Sequence, residues 1–197
     1  MEEEVVKATK FQSPVPFLRQ FRNFIFGKKK PDVFTRLTFN INMIIWISFL
    51  LWSVISYFTI SSREMVYRFK GIPVDSILKN RGVELGFEGP DFLSRLLTFN
   101  GIAVICWSIV FIGLILLFRK KKQFIYFVLG GTVFYLGMSI FYLSFTYFME
   151  DTTMYDKIAL LVVIVSSIIH SYLMKNEREG GSINFFGENE NEVEAIE

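Results

Sequence analysis

The side chains able to do chemistry in this chain are few and scattered. His170 is its only histidine and Cys106 its only cysteine. An imidazole in an apolar helix could ligate haem iron or carry a proton. A single histidine supplies only one axial ligand, however, and no Cys, Met or carboxylate stands beside it at metal-ligand spacing. Ser166, Ser167 and Ser171 lie within a turn of it, so the ring is expected to hydrogen-bond locally on its own helix. Cys106 sits in an apolar run with no base near it in sequence, the setting of an inert buried thiol. One cysteine allows neither an intrachain disulfide nor a thiolate metal site. Asp75, Glu84, Glu88 and Asp91 are the carboxylates that could serve a lipid-directed enzyme, and their spacing matches no acid–base pair. There is no Gly-x-Ser-x-Gly elbow, and Gly130-Gly131 is embedded in apolar sequence rather than in a phosphate-cradling loop. The sequence therefore predicts no catalytic residue, no cofactor and no metal.

What must position these residues is set by where the charges fall. Hydrophobic residues make up 52% of the chain and gather in four blocks, while charges collect between the blocks and in the tails. That is the distribution of a multi-pass membrane protein. Four consecutive cations, Arg119-Lys120-Lys121-Lys122, separate one long apolar run ending at Phe118 from another beginning at Phe124. Such a cluster cannot sit in hydrocarbon and is too short to be more than a turn, so the flanking runs are antiparallel spans joined there. The expected fold is an all-α integral membrane four-helix bundle. Its spans cover 38–61, 99–118, 124–149 and 158–174, with connections at 62–98, 119–123 and 150–157. In the first three spans no Asp, Glu, Lys, Arg or His interrupts the apolar sequence, although proton relays and ion-coupled carriers need such groups.

The remaining segments follow the same logic. In the N-terminal region 1–37, Phe17, Leu18, Phe21, Phe24 and Ile25 recur at helical spacing, with Arg19 and Arg22 on the other face and Lys28, Lys29 and Lys30 following. This is the pattern of an amphipathic helix on an anionic membrane surface. The opening Met1-Glu2-Glu3-Glu4 is the reverse of a basic signal region, so the first span is expected to act as its own insertion signal. In the 62–98 connection, Pro73 opens a short helix carrying Val74, Ile77 and Leu78, and Asp91-Phe92-Leu93 begins a helix that runs into the second span. Residues 175–197 are rich in Gly, Asn and Glu and are expected to form a disordered acidic tail. Placing Arg119 to Lys122 inside brings Lys28 to Lys30, Arg36, Lys175 and Arg178 to the same side and leaves Glu150-Asp151 outside. An N-in, C-in protein of the bacterial inner membrane is the orientation this predicts.

In the third span, Gly130, Gly137 and Ser144 repeat every seven residues, as do Thr132, Ser139 and Thr146. These sets lie on nearly opposite faces, so neighbours could approach closely on both sides and the third span is expected at the centre of the bundle. Asn40 and Asn42 are expected at headgroup depth, bonded to lipid or to a neighbouring helix. The basic clusters are accounted for by topology, so nucleic acid is not an expected partner. The partners expected are the lipid bilayer and other integral membrane subunits. The functional expectation is a non-catalytic subunit that assembles with, anchors or docks a larger inner-membrane complex. The alternative is a small homo-oligomeric transporter or channel for a neutral or small solute.

Overall fold

A computed structural model describes Ile25 and residues 31–178. The chain divides into two units at Lys30–Pro31, and the architecture below is that of the second. The amphipathic stretch expected over Phe17 to Lys30 lies outside the described residues except for Ile25, which is helical, and so does the tail beyond Arg178.

Among the described residues there are six helices and no strand: α1 (Val33–Ser61), α2 (Arg63–Lys70), α3 (Val74–Glu84), α4 (Gly89–Phe118), α5 (Phe124–Glu150) and α6 (Met154–Arg178). Helices α1, α4, α5 and α6 are each long and apolar enough to cross a membrane. Three of the four, α1, α4 and α6, begin where local chemistry says they should, and α5 follows Gln123 without a capping side chain. The Asp32 carboxylate accepts from the Thr35 amide at 2.9 Å and caps α1. Pro90 occupies the first turn of α4, where its missing N–H costs nothing. Thr153 caps α6, its Oγ1 accepting from the Asp156 amide at 3.2 Å. Helix α4 runs from the connection into the span without a break, whereas α2, an eight-residue helix closed by Gly71 in the left-handed region, has no counterpart in the sequence expectations.

The centre of the bundle is α4, not α5. It packs against α1 on one side and α5 on the other, and α6 closes onto α5 and α1. Phe92, Leu96, Phe99, Ala103, Cys106, Val110, Gly113 and Leu117 are all buried, with alternating spacings of four and three. That is the 3.5-residue seam of left-handed helix packing. Gly113 and Gly131 let α4 and α5 approach. A Cβ on Gly113 would lie 2.6 Å from Val128 Cγ2 and 2.9 Å from the Val128 amide nitrogen, and one on Gly131 would lie 2.7 Å from Val110 Cγ2. The glycines singled out by their seven-residue repeat, Gly130 and Gly137, point outward, and a Cβ on either would meet nothing within 4 Å. The expectation of a central third span missed by one residue of helical rotation: Gly131, not Gly130, faces α4.

The surface is inverted relative to a protein in water. On α1 the inward residues include Thr35, Thr38, Asn42 and Ser53, while Ile44 (67% exposed) and Trp52 (70%) face out, as do Tyr126 and Phe141 of α5. A water-soluble monomer does not leave so much large apolar surface uncovered while burying hydroxyls and amides. Hydrocarbon surroundings demand this arrangement, because only the interior offers polar groups a partner. The chain is a multi-pass membrane protein whose outer helical faces meet lipid.

Because the α4–α5 seam depends on the missing Cβ of Gly113, Gly113→Leu is expected to destabilise the bundle by about 1–3 kcal/mol through overpacking. Gly137→Leu is expected to be neutral within about 0.5 kcal/mol. Cys106, 1% exposed, is a native reporter: thermal release of its thiol to a fluorogenic maleimide in detergent measures both.

Candidate functional site

The buried polar groups fall into two clusters, one at each end of the bundle. The basic end carries the α4–α5 turn and the start of α1. Lys120 Nζ pairs with Asp32 Oδ1 at 2.9 Å, and Thr35 Oγ1 donates to the same Asp32 oxygen at 2.5 Å. Burial alone would raise the Asp32 carboxyl. The hydrogen bonds from Thr35 and Lys120, with the nearby Lys120 charge, outweigh it and hold the group at about 2, below its ordinary 3.8. With its proton given to Asp32, Thr35 Oγ1 can only accept from His170 Nε2, 3.5 Å away. That assignment places the imidazole proton on Nε2 and leaves Nδ1 as a bare acceptor, and Nδ1 is buried without a partner among the described residues. The ring is held by Phe34, stacked at 5.4 Å, and by the edge of Phe124 at 5.7 Å.

One turn deeper, Asn42 and Ser166 exchange bonds across the α1–α6 seam. Asn42 Nδ2 donates to Ser166 Oγ at 3.0 Å, and Asn42 Oδ1 lies 3.2 Å from the same oxygen. Asn42 thus bonds to a neighbouring helix, one of the two alternatives expected for it, while Asn40 is exposed. The expectation that His170 bonds to serines of its own helix is corrected here. Its partner is Thr35 of α1, Ser166 is taken by Asn42, and Ser167 Oγ, also buried, has no partner among the described residues.

The second cluster lies at the opposite, loop-bearing end. Here Arg81 of α3 reaches the α5–α6 turn, its Nε donating to Asp151 Oδ1 at 2.9 Å and its Nη2 approaching Glu150 at 3.4 Å. Hydrogen bonds from Arg81 to Asp151 and then Glu84 push the guanidinium above its ordinary value, so it stays charged at every accessible pH. Below this ion cluster is a cavity of about 610 Å³ between α1, α4, α5 and α6, and Val74 and Leu78 of α3 also line it. Its polar lining includes Ser53, Asn100 and Ser139, each at most 5% exposed, and the Tyr135 ring. Phe49 stacks on Trp107 at 4.7 Å, Tyr135 packs on Trp107 at 5.2 Å, and Trp46 Nε1 donates to the Trp107 carbonyl at 2.7 Å.

The residues picked out by spacing separate accordingly. Thr132 and Ser139 are buried, Thr132 donating to the Val128 carbonyl at 2.8 Å and Ser139 lining the cavity. Gly130 and Gly137 face outward. Ser144 breaks α5 at φ 74°, ψ 162°, a region non-glycine residues occupy at a cost of about 1–3 kcal/mol. Beyond the break, Tyr147, Phe148 and Asp151 line the cavity. Of the basic turn, Lys120 pairs with Asp32, while Arg119, Lys121 and Lys122 are exposed. Phe17, Leu18, Arg19, Phe21, Arg22, Phe24, Lys28, Lys29 and Lys30 lie outside the described residues. No group of three or more His, Cys, Asp or Glu side chains is close enough to hold a metal ion among the described residues. The signal that spacing did carry for the polar interior was the run Thr35, Thr38, Asn42 on one face of α1. No family model, curated protein or solved structure matches the chain.

The folded carboxyl of Asp32 titrates below the unfolded one, so its contribution to stability is present above pH 3.8 and lost as pH falls toward about 2. Asp32→Asn keeps a capping side chain and removes only the charge. At neutral pH it is expected to cost less than about 1 kcal/mol, since the pair is partly exposed. The gap from the parent protein should close across that acidic window in thermal melts. Asp32→Ala, which also loses the cap, is expected to cost about 1 kcal/mol more.

Proposed function

We propose that this chain is a non-catalytic integral membrane component that assembles with other membrane proteins through the outward face of α5. The observation that carries the reading is the pair Gly130 and Gly137, two helical turns apart, with open space where each Cβ would stand and large apolar side chains, Phe134 and Phe141, exposed on the same helix. Small residues on a lipid-facing helix let a second helix approach closely, and van der Waals packing is the main source of association in lipid. Both glycines can be changed without touching the chain's own core, so an effect on assembly is separable from an effect on folding. The chain is expected to co-purify stoichiometrically with other membrane proteins in mild detergent. Gly130→Leu/Gly137→Leu should abolish that association while leaving the Cys106 melting profile unchanged. Recovery of a homo-oligomer alone, passing a neutral solute into liposomes, would overturn this in favour of the second reading, a small-solute path.

The orientation belongs to the same proposal. Asp32, the Lys120 turn and His170 meet at one end, and Arg81, Asp151 and the α2–α3 connection meet at the other. The exposed cations Arg36, Arg119, Lys121 and Lys122 all stand at the first end, and the positive-inside bias assigns that end to the cytoplasm of a bacterial inner membrane. The N-terminal amphipathic segment and the acidic tail then also lie inside, the former on the anionic leaflet. Cys106 is buried, so single added thiols report topology. Tyr155→Cys is expected to react with an impermeant maleimide on intact cells, and Lys121→Cys only after lysis. The reverse pattern would refute the orientation.

A further inference from the structure

We infer that the loop-end cavity binds a neutral, membrane-soluble amphiphile: an apolar body with an unionised hydroxyl, carbonyl or amide head. The inference is independent of the assembly reading. It begins from the seam between α1 and α6, which is hydrogen-bonded at Thr35–His170 and Asn42–Ser166 and, among the described residues, nowhere further toward the loop end. From Ser48 onward the two helices instead border the cavity, whose volume falls in the range of small-molecule sites, roughly 300–1,000 Å³. Trp52 and Ile55 line it and are also exposed on the lipid-facing side of α1, so the cavity opens sideways into the bilayer.

The cavity is blind. Its lining stops at Ser48, Phe49 and Tyr135, the last two packed with Trp107, and includes neither Asn42 nor Ser166 of the basic-end cluster. A through-path for aqueous solute needs the opposite.

Its chemistry selects the head. Ser139 is 3% exposed, and neither its hydroxyl nor that of Tyr135 forms a hydrogen bond among the described residues. Asn100 spends an amide hydrogen on the Leu96 carbonyl and keeps its other bonding capacity. Hydroxyls left unpaired at this depth are costly, and a ligand's polar group satisfies them. No Lys, Arg or His lines the cavity, and its carboxylates, Asp151 and Asp156, are held by Arg81 and by the Thr153 cap. An anionic head would find no countercharge, and the carboxylates stand at the loop end, Asp151 paired with Arg81 and Asp156 in the first turn of α6.

The test uses the full chain in nanodiscs with a diazirine-bearing diacylglycerol and a phosphatidic acid of identical chains, with crosslinks mapped by mass spectrometry. Diacylglycerol is expected to label residues 49–59 and 135–148 preferentially, and phosphatidic acid is not. Tyr135→Phe and Ser139→Ala should each lower that labelling about 2- to 10-fold, the range one neutral hydrogen bond supplies, with the Cys106 melting profile unchanged. Equal labelling by both lipids, or labelling indifferent to the two substitutions, would overturn the inference. So would displacement of the label by free glycerol, which would make the ligand an aqueous solute.

Discussion

The structure depends on the solvent surrounding it. Hydrocarbon offers no hydrogen bonds, so every polar group between the two ends must find its partner inside the protein. The backbone meets this demand by being helical through the spans, save for the break in α5 at Ser144. Several side chains meet it by facing inward: Asn42 reaches Ser166, Trp46 reaches the Trp107 carbonyl, and Ser53 and Thr132 return their hydroxyls to the preceding turn, whereas Ser167 Oγ and Trp107 Nε1 are buried without a partner among the described residues. The apolar surface that would be a liability in water is then the face that lipid wets. Burial of Thr35, Thr38 and Asn42 on the same helix that exposes Ile44 and Trp52 is a single consequence of that constraint.

Charges obey the same rule from the other direction, standing only where water is available. At one end Lys120 holds Asp32, tying the α4–α5 turn to the start of α1. At the other, Arg81 ties α3 to the α5–α6 turn through Asp151. Pairs this exposed contribute little stability individually. Their effect is on register, because each fixes a connection to the helix end beside it and so fixes which side chains stand at the same depth.

The helices were legible because a run of about 20 apolar residues has few alternatives, and the basic turn was legible because four adjacent cations have none. Helix α2 was not, since its eight residues between Ser62 and Gly71 make barely two turns, too short for an apolar spacing to be told from a loop. Partners were not legible either. Asn42 and Ser166 are 124 residues apart, and nothing in their neighbourhoods distinguishes that pairing from lipid or from another helix. The choice between Gly130 and Gly131 as the contact glycine turns on about 100° of rotation. That angle is decided by the shape of α4 opposite, where Val110 leaves room for a glycine and for nothing larger. The cavity was illegible for a related reason: it is a property of where two helices fail to meet.

That failure has a cause in the residues. Along α4 the seam carries Ala103, Cys106 and Gly113 at its middle, so α5 can lie close for most of its length. Along α6 the buried positions are Leu160, Val163, Ser167, His170 and Met174, and the small one, Ser167, adjoins the Ser166 that meets Asn42. Helix α1 can approach where a hydroxyl meets an amide. Toward Leu160 the two helices border the cavity instead, and Ser53 and Ser56 are too short to fill it. The bundle is therefore tight where α4 meets α1 and α5 and looser where α6 closes onto it, and that looseness leaves hydroxyl groups at bilayer depth within reach of whatever enters from the lipid.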